Sequence, residues 1–272
     1  MFYQSHIPAR PLREFIERFW FCSETPSHVR ERILPSGTVE IVFTLADDEI
    51  RIEDPARPES PRRYSGAVIS GTYREFFTID PLQHASILGV HFRPGGMAAF
   101  LDFSVRELAD RHIDLESIWG REARELRARL CAASSPAQRF ALLEEAFLTR
   151  LLRAAPCRGA VQLALDSFHR ADGNVAVRDV ARQIGISHRR FIECFTDGVG
   201  LSPKLYCRIL RFQKARERAN RAGAVNWAAV AADCGYCDQS HLIRDFREFA
   251  GFTPSTSLAR STQPLLPNHV QS

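Results

Sequence analysis

The feature that most constrains the fold of this 272-residue chain is an internal repeat near its C-terminus. A Val-Ala pair, a glycine, and a Gly-x-Ser/Thr-Pro segment occur within residues 180–203 and again within residues 230–254. Self-similarity at a fixed spacing is the signature of a repeated structural unit. Each copy predicts a short apolar helix, a turn at the glycine and a second helix, which is the pattern of a helix-turn-helix.

The turn glycines, Gly185 and Gly235, allow the positive φ that a tight turn between two helices requires. In the second helix of each copy, phenylalanine and leucine side chains at helical spacing are predicted to face the core. The residues between them must then point outward. In the first copy these are Arg189, Arg190, Ile192 and Glu193, and in the second they are Gln239, Ser240, His241, Ile243 and Arg244.

Two interpretations of these outward faces are open. One is a solvated helix surface. A single such helix would favour this interpretation as much as the alternative. The other is a DNA-reading surface, because Ile192 and Ile243 occupy equivalent outward positions where an apolar side chain needs an apolar partner, such as a thymine methyl group. The arginine, glutamine, serine and histidine side chains around them suit base edges and phosphates. The repeat therefore favours binding to double-stranded DNA.

The segment between the two copies is predicted to be one long helix. Ser202 is a good N-cap, Pro203 is a good first helical residue, and Gly223 follows the last turn at Ala222. A helix of about 20 residues is roughly 30 Å long, close to one DNA turn of about 34 Å. Two reading helices held this far apart can enter successive major-groove segments on one DNA face. Phosphate contacts are predicted for Lys204, Arg208, Arg211 and Arg247.

Charge is unevenly distributed along the chain, whose formal net charge is +4. Residues 1–156 carry 20 basic and 22 acidic side chains, whereas residues 157–272 carry 16 and 10. A basic C-terminal half beside a slightly acidic N-terminal half indicates a polyanion as the partner of one domain only.

The first hundred residues are predicted to be mainly strand, after an opening helix over residues 12–19. Side chains that alternate in character with a period of two residues predict a strand over 39–45. Residues 86–92 form a second strand candidate, which a Pro-Gly-Gly segment would end. Residues 54–63, with three prolines and five charges, predict an exposed loop. Short strands separated by turn residues favour a small barrel or sandwich.

From about residue 98 the periodicity becomes helical, with one stripe over residues 140–151 that Pro156 would end. The predicted fold class is α+β with two domains. The predicted organisation is a β-rich barrel domain with flanking helices over 1–118, a helical connection over 119–156, an all-α domain of two helix-turn-helix motifs joined by a long linker helix over 157–260, and a frayed tail over 261–272.

Residues 235–247, which begin Gly-Tyr-Cys-Asp-Gln-Ser-His-Leu-Ile-Arg, and the segment 251–254 closely resemble the second-motif signature of the AraC/XylS family of bacterial transcription regulators. The resemblance covers residues from about 160 to 260. It implies sequence-specific promoter binding through both motifs, with a partner domain that binds an effector or dimerises. Glu193 stands where a basic residue is common in the family.

The N-terminal half resembles the cupin-like sensor domain found in a subset of these regulators. The resemblance is carried by residues 11–20, 34–37, 115–120 and 89–96, the last of which contain the motif Phe92-Arg93-Pro94-Gly95-Gly96. It implies that the first domain senses a small-molecule effector or forms a homodimer. RNA polymerase is a further candidate partner.

Residues suited to metal or redox chemistry are present but sparse. Cys234 and Cys237 form a C-x-x-C without four zinc ligands nearby, and His84 and His91 lack the His-x-His pair of a metal cupin. We therefore predict no metal, no cofactor and no catalytic residue, and hence a regulator that is not an enzyme. The alternative is a cupin-type metalloenzyme fused to a DNA-binding domain, which metal analysis of the purified protein would distinguish.

The sequence also predicts where the protein acts. No apolar run approaches the roughly 18 residues that a membrane span needs, and the N-terminal residues lack the apolar stretch of a secretory signal. The seven cysteines are an odd number spread over a long chain, which fits reduced thiols better than a disulfide framework. These features predict a cytoplasmic protein with no membrane partner.

Overall fold

The computed structural model describes residues 2–23, 31–54, 57–79, 86–151, 157–221, 225–259 and 269–271. The strands are β1 (Phe2–His6), β2 (Ile16–Ser23), β3 (Glu31–Ile33), β4 (Glu40–Thr44), β5 (Glu49–Asp54), β6 (Arg57–Ser65), β7 (Ala67–Ser70), β8 (Phe77–Ile79), β9 (Ser86–Phe92), β10 (His112–Asp114) and β11 (His269–Gln271). The α-helices are α1 (Glu116–Trp119), α2 (Arg121–Ala132), α3 (Pro136–Arg150), α4 (Arg158–Arg170), α5 (Val177–Ile184), α6 (His188–Val199), α7 (Pro203–Arg221), α8 (Trp227–Asp233), α9 (Gln239–Ala250) and α10 (Pro254–Ala259). Short 3-10 turns cover Leu12–Glu14, Gly96–Phe100 and Val105–Leu108.

Two antiparallel sheets form the N-terminal domain. The first has the strand order β1-β2-β9-β4-β7-β10, and the second has the order β11-β3-β8-β5-β6. In the first sheet, Val90 of β9 pairs with Phe19 of β2 on one side and with Ile41 of β4 on the other. Neither sheet closes on itself within the described ranges. The α+β architecture with a β-rich first domain and a helical second domain is therefore confirmed, while a closed cupin-like barrel stays a prediction.

The first sheet is buried on both faces. One face, which includes Phe19 and Phe92, packs against α2 and α3 through side chains such as Leu126 and Phe147. The Phe92 and Phe147 rings lie 5.7 Å apart in an edge-to-face arrangement. The other face lies against the second sheet, where Val68 contacts side chains of β5. The helices predicted as a connection thus contribute to the core of the first domain.

The C-terminal helices share a second core, in which α7 takes part in both helix-turn-helix units. Near its start, the Tyr206 ring lies 5.5 Å from that of Phe195 on α6. Two turns later, the Phe212 ring lies 5.0 Å from that of Phe246 on α9. One helix therefore holds the two units at a fixed separation.

Several predicted elements are confirmed. The strand predicted over 39–45 is β4, the strand predicted over 86–92 is β9, and the helical stripe over 140–151 lies on α3. Both helix-turn-helix units are present, and α7 begins at Pro203, with the Ser202 hydroxyl accepting a hydrogen bond from the Leu205 amide at 3.4 Å. The predicted helix ends at Pro156, Ala222 and Gly223 lie outside the described residues.

The helix predicted over residues 12–19 is wrong. Only Leu12–Glu14 form a 3-10 turn, and the chain continues as β2 from Ile16. Ile16, Phe19, Trp20 and Phe21 are all buried. Because both faces of this strand are covered, its sequence lacks the period-2 alternation of a half-buried strand, and its continuous apolar run cannot be told from a buried helix by periodicity.

The loop predicted over residues 54–63 is also wrong where the structure describes these residues, although Arg62 and Arg63 are exposed as predicted. Arg57–Ser65 form β6, which pairs antiparallel with β5, so that Ile50 lies opposite Tyr64. β6 is the outermost strand of the second sheet. Proline is tolerated at a sheet edge, because an edge strand leaves half of its amides without a ladder partner.

The frayed tail predicted over residues 261–272 needs a correction where the structure describes it. Residues His269–Gln271 form β11, which pairs antiparallel with β3 at the edge of the second sheet. Val270 is 3% exposed and belongs to the core of the C-terminal helices. A single apolar side chain among prolines and polar residues gives no periodic signal, so the pairing is set by tertiary contact alone.

Candidate DNA-binding surface

The first helix-turn-helix consists of α5 and α6. Gly185 ends α5 at φ +80°, which confirms the left-handed turn residue predicted there. Ser187 caps α6, since its hydroxyl accepts a hydrogen bond from the Arg190 amide at 3.3 Å. Phe191 and Phe195 on the inner face of α6 are buried. The capping serine therefore sets where α6 begins, and the two buried phenylalanines set which face of the helix points inward.

The second helix-turn-helix consists of α8 and α9. Gly235 has φ +74°, and a Cβ there would meet the Asn174 side chain at 1.9 Å, so the position requires glycine. Asp238 caps α9 by accepting a hydrogen bond from the His241 amide at 2.7 Å. Leu242 and Phe246 on the inner face are buried.

The residues predicted to point outward lie on the free faces of α6 and α9. Arg189, Arg190, Gln239, Ser240 and Arg244 are exposed, while Ile192, Glu193, His241 and Ile243 are half-buried. The two isoleucines occupy equivalent positions beside the exposed arginines of their helices. The structure thus places the predicted residues in two similar clusters, one on each reading helix, and their contacts with DNA stay a prediction.

The charges of the two clusters differ. On α6, Glu193 forms ion pairs with Arg189 at 3.1 Å and with Arg190 at 3.8 Å. Part of the positive charge of this helix is therefore balanced within the helix. On α9, Arg244 is exposed and forms no ion pair with any part of the chain that the structure describes. α9 consequently presents the less neutralised surface to a polyanion.

His241 is positioned by a neighbouring aromatic ring. Its imidazole meets the Tyr236 ring edge-on, with the centroids 5.2 Å apart. Tyr236 is buried, and burial raises the pKa of its hydroxyl above the ordinary value, so the phenol stays neutral. This packing orients one polar side chain of the α9 cluster before any ligand is bound.

The predicted phosphate contacts divide into two groups. Lys204 and Arg247 are exposed, at the start of α7 and near the end of α9. Arg208 instead pairs with Asp245 at 2.7 Å and with Glu248 at 2.6 Å, and these bonds raise the pKa of its guanidinium further. Arg211 lies over the Tyr236 ring at 5.7 Å. Arg208 thus joins α7 to α9, a role that sequence reasoning missed because Asp245 has no signal of burial in the local pattern.

The residues considered for metal or redox chemistry lie apart. Cys234 is 1% exposed and lies in the core of the C-terminal helices, and burial raises the pKa of its thiol. Cys237 is exposed. His91 is buried with its Nδ1 3.4 Å from a Glu40 carboxylate oxygen, whereas His84 lies outside the described residues. In the described ranges, no group of three or more histidine, cysteine, aspartate or glutamate side chains is arranged to hold a metal ion.

None of the helices in the described part of the chain combines the length and the apolar character that crossing a membrane would require.

Two family descriptions match parts of this chain. Residues 180–260 match a family described as a helix-turn-helix domain, and residues 4–114 match a domain of unknown function, DUF6597. A probable thc operon regulatory protein from Rhodococcus erythropolis is 29% identical over 119 residues, which are 42% of this chain and 36% of that relative. The match thus spans about a third of that relative's length.

Two solved structures also show similarity to this chain. A transcriptional regulator with an AraC-type DNA-binding domain from Chromobacterium violaceum is 22% identical, with a TM-score of 0.36, over 41% of this chain and 99% of that one. ToxT K231A from Vibrio cholerae is 10% identical, with a TM-score of 0.47, over 90% of this chain and 98% of that one. Residues 180–260 of the chain thus contain a helix-turn-helix domain, in agreement with the two units seen in the structure.

Replacing Arg244 by alanine tests the α9 cluster. The variant should lose about 1–3 kcal/mol of operator-binding free energy, because an exposed arginine on a reading helix can contact a guanine edge or a phosphate. Its free energy of unfolding should change by less than about 0.5 kcal/mol. The measurement is a gel-shift titration at fixed salt on an operator obtained by in vitro selection.

The matched control is Arg124→Ala, which removes an exposed arginine from α2 of the first domain, where it pairs with Glu116 at 2.8 Å. This control should bind the operator like the unmodified protein. Equal operator affinities for both variants would remove Arg244 from the DNA-binding surface.

Proposed function

We propose that the protein is an AraC-type regulator that reads two successive major-groove segments with α6 and α9, under the control of its first domain. The observation that carries the proposal is the shared role of α7. This 19-residue helix supplies Tyr206 to the core of the first unit and Phe212 to the core of the second. At 1.5 Å per residue it spans about 28 Å, comparable to one DNA turn of about 34 Å.

The roles of individual residues follow from their exposure. The α9 cluster of Gln239, Ser240, His241, Ile243 and Arg244 reads base edges, and Lys204 and Arg247 contact phosphates. The α6 cluster contributes less, because Glu193 is paired with both of its arginines. Arg208 positions α9 against α7 through Asp245. A regulator of this kind acts where the chromosome lies, so the proposal includes a cytoplasmic location.

The effector site of the proposal lies between the two sheets. The lining is mainly apolar, with Trp20, Glu40, Ser70 and His112 as the polar groups. The Trp20 indole donates to the Glu40 carboxylate at 2.7 Å, and burial lowers the pKa of His112 to about 3, so its imidazole is neutral near pH 7. These features suit a small, mostly apolar molecule with one hydrogen-bonding group.

The cavity is small, with a volume of about 50 Å³. An effector of more than a few atoms must therefore separate the second sheet from the first. Ile33 of β3 and Phe77 of β8 line the cavity on the side of the second sheet. Their displacement is the first step by which binding would reach the rest of the protein.

The neighbours of these two residues contact the second helix-turn-helix. Arg32 donates to the carbonyl oxygen of Ala250, the last residue of α9, at 2.8 Å. Its guanidinium also lies over the Phe252 ring at 3.8 Å and over the Phe76 ring at 4.3 Å. A shift of β3 and β8 is thus transmitted to the end of a reading helix. This contact supports control of DNA binding by the first domain.

The first helix-turn-helix is held in a similar way. Asp197, near the end of α6, accepts a hydrogen bond from the Ser104 hydroxyl at 3.0 Å and lies 3.4 Å from the Arg106 guanidinium. Both reading helices are therefore anchored at their C-terminal ends by the first domain. A homodimer and a contact with RNA polymerase stay predictions from the family resemblance.

A kink in α7 tests the proposed spacing. Lys214→Pro should kink the helix between the two units, because proline lacks the amide hydrogen and clashes with the preceding turn, at a cost of about 3 kcal/mol or more. Operator affinity should then fall by about tenfold or more, a loss of at least about 1.4 kcal/mol. Binding to random DNA should fall much less, since phosphate attraction tolerates misalignment.

The matched control is Lys214→Ala, which removes the same ion pair with Asp172 but keeps the helix. It should retain most of the operator affinity. Thermal melting establishes that both variants are folded under the conditions of the gel shift. A folded Lys214→Pro variant that binds the operator as tightly as Lys214→Ala would contradict the proposed spacing.

Replacing Arg32 by alanine tests the contact between the domains. The variant loses a charged hydrogen bond and two ring contacts, so its free energy of unfolding should fall by about 1–3 kcal/mol. Amide hydrogen exchange should become faster in peptides from α9 and α10, but not in those from α2 and α3. The control is Arg74→Ala, which removes an exposed pair with Asp110 and should change stability by less than about 1 kcal/mol. Unchanged exchange in α9 and α10 would refute the coupling route.

A further inference from the structure

A cleft between the end of α4 and the second half of α7 is distinct from the proposed effector cavity and from both reading helices. Its volume is about 470 Å³, within the range of small-molecule sites. The polar side chains that line it are His169, Asp172, Gln213, Lys214, Arg216, Glu217 and Asn220. The mixture of charged, amide and apolar groups is that of a binding site for a polar molecule.

Arg216 is the unusual member of this lining. It is 6% exposed, and the side chain that bonds to it is a neutral one, the Gln213 amide oxygen, at 2.9 Å. The guanidinium also lies 5.8 Å from the Phe212 ring centroid. Burial lowers the pKa of Arg216 to about 10, which reflects the loss of water around the charge. A buried cation with five N–H donors is normally paired with an anion.

The other charges of the cleft are already balanced. Lys214 pairs with Asp172 at 2.7 Å, and Glu217 pairs with Arg221 at 2.6 Å. Burial lowers the pKa of His169, so its imidazole is neutral at pH 7, and its Nε2 lies 2.9 Å from the Tyr206 hydroxyl. Arg216 is therefore the cation of this lining that no carboxylate of the described ranges balances.

We propose that this cleft binds a small organic anion whose carboxylate or phosphate group pairs with Arg216. The guanidinium presents parallel N–H donors that match the two oxygens of such a group. Leu210 supplies an apolar wall for the rest of the molecule. The volume admits a compound of about the size of a substituted benzoate.

Binding of an anion in the cleft would alter the contact between the two domains. The Gln213 side chain joins Arg216 to the first domain, because its Nε2 donates to the Pro35 carbonyl oxygen at 2.5 Å while its Oε1 accepts from Arg216. An anion on Arg216 competes with Gln213 Oε1 for the same donors. Binding thus alters the side chain that connects α7, which separates the reading helices, to the loop at residues 34–37.

Isothermal titration calorimetry of the full chain tests the proposal, with benzoate, phenyl phosphate and neutral benzamide as the probes. We expect benzoate or phenyl phosphate to bind at one site and benzamide not to bind. The anion that binds more tightly shows whether the cleft prefers a carboxylate or a phosphate group. Hydrogen exchange of the unmodified protein should slow in peptides covering residues 206–221 when that anion is present. Absence of binding for both anions would overturn the proposal.

Two arginine variants assign the site. Arg216→Gln keeps a hydrogen-bonding side chain but removes the charge, and should weaken anion binding by about tenfold or more. Arg218→Gln is the matched control, because Arg218 lies on the same helix but pairs with Asp233 at 3.2 Å outside the cleft, and it should bind the anion normally. Equal anion affinity for both variants would overturn the assignment. If Arg216→Gln does not fold, hydrogen exchange of the unmodified protein with the anion present still tests the assignment. Slowing confined to peptides outside residues 206–221 would then overturn it.

A gel shift separates this site from the DNA-binding surface. Arg216→Gln should bind the selected operator within about threefold of the unmodified protein when no anion is added. Two results together would show that Arg216 serves DNA binding rather than the binding of a small anion. They are a loss of operator affinity in this variant and an operator affinity of the unmodified protein that neither anion changes. The proposed function can stand or fall independently, since it is tested by Arg244 and by the α7 kink.

Discussion

Tyr206 and Phe212 lie six residues apart on α7, and each fills the core of a different helix-turn-helix. This sharing is the constraint on which the C-terminal domain depends, because the two reading helices can change their separation only if one of the two cores is disrupted. Arg208 reinforces it by pairing with the fully buried Asp245 of α9. A buried carboxylate needs such a partner, so Arg208 has a structural role in joining α9 to α7.

In the proposed function, the first domain acts on α7 and on the two helix-turn-helix units that α7 joins. Its first sheet is fixed by packing on both faces, whereas the second sheet contacts the C-terminal domain through Arg32 and through the pairing of β3 with β11. A ligand between the sheets would therefore move the second sheet more easily than the first. The end of α9 lies where that movement would be transmitted. The cleft at Arg216 is the second proposed point of control, and Gln213 joins it to the first domain at Pro35.

The sequence predicted those parts of the fold that local patterns determine. Helical periodicity, capping residues and the turn glycines Gly185 and Gly235 located both helix-turn-helix units, and alternation located β4. Tertiary context decided the rest. β2 was mistaken for a helix because the sheet buries both of its faces, and β6 was mistaken for a loop because its prolines lie at a sheet edge. The predicted outward residues of the site lie on free helix faces. The role of Arg208 could not be predicted, because Asp245 is buried by contacts that lie 37 residues away along the chain.

The central claim is that α7 sets two reading helices one DNA turn apart. Methylation protection measures this most directly, because it reports which guanine N7 atoms in the major groove are covered when the full chain binds a selected operator. The account predicts, for each protein molecule, two protected segments on one face of the DNA, centred about 10 base pairs apart. A single protected segment, or two segments separated by half a turn, would contradict it.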